Sequence, residues 1–115
     1  MKSEVRSHPD KNLEEVKAPY LFNPMENSFK KGIGTLAYNN AWNLFDQIIL
    51  SPAAATGDFN SYRYYSMKIF KIDKLIEQSG QKTGEPFRTF AGNTFIGGYS
   101  DHLPVYIYLI QKVKD

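Results

Sequence analysis

One stretch near the end of the chain constrains the fold more than any other, because its side chains are apolar on both faces of a strand. In the segment 104–112, Val105, Ile107 and Leu109 fall on one side and Tyr106, Tyr108 and Ile110 on the other. A strand of this kind asks for cover above and below. A chain of 115 residues has material for one modest core, burying about two-thirds of the surface its unfolded form exposes. Either the tyrosine hydroxyls carry the aromatic face into water, or something outside the chain covers it.

A second alternating segment, 42–51, poses a different demand. Trp42, Leu44, Asp46, Ile48 and Leu50 share one face, and Asn43, Phe45, Gln47, Ile49 and Ser51 share the other. Asp46 is thus a carboxylate in the middle of an apolar face. Burying it alone would cost several kcal/mol. It requires either a partner side chain or a set of backbone N–H groups.

Around these two segments the chain reads as a single α+β unit, mainly antiparallel strands with one or two short helices. Aromatic residues make up 15% of the sequence, eight Phe, eight Tyr and one Trp, which favours strands. Residues 1–22 form a polar leader in which 10–17 suits a short helix with Asp10 as N-cap. A turn-rich passage runs from Asn23-Pro24 to Gly34. Segment 62–70 reads as a second, aromatic strand, and 72–78 as a short helix closed by Gly80. Ala53-Ala54-Ala55-Thr56-Gly57 reads as a small-residue loop, and 84–100 as an irregular stretch with four glycines. Cysteine is absent, which excludes disulfide scaffolds, zinc–cysteine sites, iron–sulfur clusters and thiol nucleophiles. The net charge of +2 is too small to argue for nucleic acid by itself. The first residues lack the apolar core of a signal peptide, and no apolar run approaches a membrane span.

Three short motifs invite stronger readings and fail on context. Gly32-Ile33-Gly34-Thr35-Leu36-Ala37 matches a dinucleotide-binding fingerprint, but Lys30-Lys31 precede it and a strand follows, so it reads as a turn. Ser100, Asp101 and His102 are consecutive and cannot form a hydrolase triad. Gly57-Asp58-Phe59-Asn60 reads as an Asp/Asn/Gly turn between strands.

The constellation with chemical content is Gly97-Gly98-Tyr99-Ser100-Asp101-His102-Leu103-Pro104-Val105. It sets an Asp-His pair in a glycine-rich loop just ahead of the two-sided strand. Ser100-Asp101-His102-Leu103-Pro104-Val105 resembles the C-terminal signature of the endonuclease/exonuclease/phosphatase superfamily, the DNase I-like fold. Trp42-Asn43-Leu44-Phe45-Asp46-Gln47-Ile48-Ile49-Leu50-Ser51 resembles that family's penultimate motif, an Asp followed by a hydrophobic strand ending in Ser. Pro86-Phe87-Arg88-Thr89-Phe90-Ala91-Gly92 and Gly97-Gly98-Tyr99 further resemble a Bacteroidetes-type subgroup.

The resemblance, which runs from about Asn23 to the end, implies magnesium-assisted phosphoester hydrolysis, with manganese as a substitute ion. It implies that Asp46 orients the imidazole of His102. His102 would contact the scissile phosphate as general base or as donor, with Asp101 at the metal or nucleophile end. Arg88 is the weaker candidate for steering phosphate. The family's metal-binding Glu, an earlier His and its GDFN strand all precede the Asp-strand motif, whereas here Asp58 and Asn60 follow it. The expectation is therefore a C-terminal portion, 23–115, of a four-layer sandwich domain. Its partners would be a phosphoester substrate, the N-terminal half of the domain and, in solution, further copies of itself, with no membrane. A rival reading is a non-catalytic nucleic-acid module using Tyr62-Arg63-Tyr64-Tyr65 with Lys68 and Lys71. A third is a self-associating structural piece.

Overall fold

The computed structural model describes residues 5–6 and 20–114 of the chain; the helix expected at 10–17 lies outside them. The described residues form an α+β arrangement of small, mostly antiparallel sheets with two short helices. β1 (Val5–Arg6) pairs in parallel with β2 (Leu21–Phe22), and α1 (Glu26–Lys30) follows. The turn-rich passage thus contains a helix. It is entered through Asn23, whose side-chain oxygen accepts the Met25 N–H at 3.0 Å, and Met25 is wholly buried.

β3 (Leu36–Tyr38) and β4 (Ala41–Asn43) form a hairpin. Its two-residue turn is Asn39-Asn40, both at positive φ (49° and 61°), the twist a tight hairpin needs and one that Asn tolerates. The strand expected over 42–51 is therefore laddered only at its start. Beyond Asn43 the chain stays without a regular strand partner until Leu50, which exchanges two 2.8 Å backbone hydrogen bonds with Phe22. The alternation survives without the ladder. Leu44, Asp46, Ile48 and Leu50 are half-buried, whereas Phe45, Gln47, Ile49 and Ser51 are exposed.

α2 (Pro52–Thr56) occupies what the sequence suggests is a loop. The Ser51 hydroxyl caps it by accepting the Ala54 N–H at 3.2 Å, and Pro52 fits the first turn. Ala55 is buried against Phe22, with Leu50 and Tyr64 packed around them. The longest ladder joins β5 (Arg63–Ile69) to β8 (Val105–Ile110), antiparallel with an irregularity between Tyr64 and Ser66. Between them the expected helix at 72–78 shrinks to one 3₁₀ turn, Asp73–Leu75. The glycine-rich stretch holds a small hairpin, β6 (Phe90–Ala91) with β7 (Thr94–Phe95).

Few side chains are fully buried: Phe22, Met25, Ala37, Ala55 and Leu103 make up the apolar core. On the two-sided strand Tyr108 is 52% exposed, and Tyr106 and Ile110 lie at the surface with it. Among the described residues, its aromatic face meets solvent.

Candidate active site

The site is assembled by the turn Gly32-Ile33-Gly34-Thr35, which is pinned between the two segments that carry the candidate residues. The Thr35 N–H donates to the Asn43 carbonyl at 2.9 Å, and the Thr35 carbonyl accepts the Leu103 N–H at 2.7 Å. Leu36 forms an antiparallel bridge with His102. Gly34 makes this approach feasible, since a Cβ there would lie 2.5 Å from the Asn43 carbonyl oxygen. The segment leaving β4 and the loop entering β8 are thereby held on either side of β3.

Asp46 and His102, 56 positions apart, meet in this frame, with His102 Nδ1 2.7 Å from Asp46 Oδ2. The partner that an apolar-face carboxylate requires is thus an imidazole. Asp46 lies past the C-terminal end of β4, and His102 lies ahead of β8, bridged to β3.

A third residue joins them. The hydroxyl of Thr35, a side chain with 0% exposure, donates to the same Asp46 Oδ2 at 2.6 Å and accepts the Asp46 N–H at 3.3 Å. Partial burial by itself raises the Asp46 carboxyl. The Thr35 hydroxyl and the hydrogen bond and charge of His102 outweigh it, holding the carboxyl below its ordinary 3.8. An ionised Asp46 makes Nδ1 the donor, which leaves Nε2 as the imidazole atom available to a substrate. The Phe45 ring stands 6.3 Å from the imidazole, and the Ser100 hydroxyl accepts the His102 N–H at 3.0 Å.

The remaining candidates fall nearby but are not joined to this pair. Asp101 is exposed, and among the described residues its carboxylate makes no hydrogen bond or ion pair. It lines a cleft of about 200 Å³ with Arg88, Thr89 and Phe90. The Arg88 guanidinium donates to the carbonyl of Ala37 in β3. Asp58 and Asn60 are bonded to each other, through the Asn60 N–H and side-chain amide at 3.0 and 3.1 Å. Phe59 accepts the Lys112 N–H at 2.7 Å, which puts this turn at the far end of β8 from His102. A groove of about 830 Å³ runs along β5 beside Tyr64, Met67 and Tyr108, and neither Asp46 nor His102 lines it.

The aromatic–basic segment does not present one continuous platform. Tyr62 and Tyr65 face solvent, but Tyr64 packs edge-on against Phe22 at 5.1 Å. Arg63 covers the Phe59 ring at 4.7 Å, and Lys71 covers Trp42 at 4.9 Å.

The donor set does not match a magnesium site. Among the described residues, no three His, Asp or Glu side chains gather where they could hold a metal ion, whereas a hard cation is held by several oxygens. Asp46 Oδ2 is already taken by Thr35 and His102. Among the described residues, no helix is long and apolar enough to cross a membrane.

Sequence reading missed Thr35, although it sits inside the glycine motif that was set aside as a turn.

The model of the Endonuclease/Exonuclease/phosphatase family matches residues 2–111 of the chain. No curated protein and no solved structure is significantly similar to the chain.

Proposed function

The chain belongs to the endonuclease/exonuclease/phosphatase family, and from that premise we propose that it carries the imidazole end of a phosphoester-hydrolysing site. The observation that carries this reading is the Thr35–Asp46–His102 chain of hydrogen bonds, closed at 2.6 and 2.7 Å on one carboxylate oxygen. In the proposed mechanism Asp46 holds Nδ1–H, and Nε2 faces the phosphate to be cleaved. There it takes the proton of the attacking water, or in its protonated form donates to a phosphoryl oxygen. Acid–base assistance of this kind is worth about 10²–10⁴-fold. Arg88 has guanidinium N–H groups beyond the one given to Ala37, and these are the proposed phosphate donors. Asp101, at the mouth of the neighbouring cleft, is the residue closest in sequence to contribute an oxygen to a cation.

The divalent ion typical of the family, magnesium or manganese, needs more carboxylates than the described residues gather. We propose that those carboxylates come from an N-terminal half of the domain, this chain being the C-terminal portion and inactive alone. The small buried core and the many large apolar side chains left at the surface, Phe45, Tyr65, Phe95 and Tyr108 among them, support that reading. They also support self-association when the half is missing.

Turnover of a bis-aryl phosphodiester and of abasic DNA, with and without magnesium, tests the proposal. The chain alone should give little or no hydrolysis. Addition of the N-terminal half should restore it, and His102→Ala should remove the restored activity. Robust His102-dependent turnover by the chain alone would reject the fragment reading. Restored activity indifferent to His102→Ala would reject the site.

A further inference from the structure

Thr35 is buried for a reason that packing alone does not supply. A hydroxyl with 0% exposure must find partners, and a valine of the same shape would fill the same space without that demand. Instead the hydroxyl is spent wholly on Asp46, donating to Oδ2 at 2.6 Å and accepting the backbone N–H at 3.3 Å. The oxygen it binds is the one that faces His102 Nδ1. A carboxylate more than a third exposed is otherwise free to rotate, so that either oxygen, or neither, would meet the ring. The backbone of Thr35 is anchored separately, to Asn43 on the Asp46 side and to Leu103 on the His102 side. One residue therefore measures the gap between the two segments and sets the orientation of the carboxylate within it.

We infer that Thr35 is a positioning residue of the site: its hydroxyl locks the Asp46 carboxylate in the rotamer that keeps the His102 proton on Nδ1 and Nε2 open to substrate. The inference rests on the reading that His102 is the reacting imidazole. Its test does not, because the readout is the imidazole itself. The turn Gly32-Ile33-Gly34-Thr35 then has a use the sequence motif did not suggest, which is to deliver this hydroxyl between two strand-like segments.

The experiment is ¹⁵N-resolved NMR of the histidine rings in the full chain and its variants at alkaline pH, where imidazoles are neutral. The chain has two histidines, and His8→Gln assigns them. In the parent chain His102 should show the proton on Nδ1. Thr35→Val keeps the shape and the backbone anchors and removes the hydroxyl alone. It should abolish the Nδ1–H preference and move the midpoint of the Asp46 carboxyl, followed by ¹³C, upward towards its ordinary value. Thr35→Ser should retain both signatures of the parent. The inference fails if Thr35→Val leaves the ring shifts and the Asp46 titration unchanged. It also fails if Thr35→Ser, which keeps the hydroxyl, loses them. Should Thr35→Val not fold, the serine variant decides the matter by itself.

Discussion

Gly98→Ala is the substitution that tests how the site loop is held. Gly98 is not at positive φ, so its need for glycine is one of space. A Cβ there would fall well under 3.0 Å from the carbonyl oxygens of both Phe87 and Arg88. These are backbone atoms, which cannot rotate away. Relief requires the 97–98 segment to lift off the 87–89 segment, which strains two hydrogen bonds. One runs from the Gly98 N–H to the Arg88 carbonyl at 2.9 Å, the other from the Thr89 hydroxyl to the Gly98 carbonyl at 3.0 Å. Each is worth about 1 kcal/mol net, and overpacking typically costs about 1–3 kcal/mol. These sum to about 3–5 kcal/mol, and because the loop is only partly buried and both bonds are strained rather than lost, about 1–3 kcal/mol of it applies. For a chain of this length that lowers the unfolding midpoint by roughly 4–12 °C. Thermal unfolding followed by circular dichroism measures it, and His102 ring NMR shows whether the displacement reaches the imidazole. Gly92 is the control, with φ +58° and nothing near its would-be Cβ. Gly92→Asn should cost less than about 1 kcal/mol, since Asn tolerates this conformation. The reasoning is refuted if Gly98→Ala unfolds like the parent chain, or if Gly92→Asn costs as much.

Two further outcomes are expected. Leu103→Ala, at a side chain 1% exposed between Thr35 and the β8 entrance, should cost about 2–5 kcal/mol. In so small a core that is a large share of the total, and urea unfolding measures it. The depressed Asp46 carboxyl contributes stability that is present above its ordinary 3.8 and is lost as pH falls through the lower folded value. With the side chain 35% exposed, that contribution is under about 1 kcal/mol. Asp46→Asn should therefore flatten the acid limb of a stability–pH curve below about pH 4.

What the sequence made legible follows from which signals are local. From Leu44 to Ser51 the period-two pattern separates half-buried from exposed residues, because alternation depends only on an extended backbone, while Asn43, on the outward face of that pattern, is half-buried. It did not show that the ladder stops at Asn43, since hydrogen-bond partners are a property of distant segments. The demand for an Asp46 partner was readable from one residue's surroundings, and His102 was the only imidazole outside the polar leader. Thr35 was invisible for the opposite reason. A threonine after two glycines is an ordinary turn residue, and its importance arises only when β3 is laid between two segments that the chain brings back from afar. Helix α2 was overlooked although its signals were present, a Ser cap followed by Pro and three alanines. The Asn39-Asn40 hairpin was likewise announced by residues that accept positive φ.

In the proposed mechanism Asp46 acts on a phosphoester only through His102. A double-mutant cycle on the completed, magnesium-supplied domain tests it most directly, comparing kcat/KM for His102→Ala, Asp46→Asn and the pair. The expected result is a loss of about 10²–10⁴-fold for His102→Ala, a smaller loss for Asp46→Asn, and a double variant no worse than His102→Ala alone, because an orienting group has nothing left to orient. Losses that multiply in the double variant, or a His102→Ala enzyme with parental kcat/KM, would contradict it.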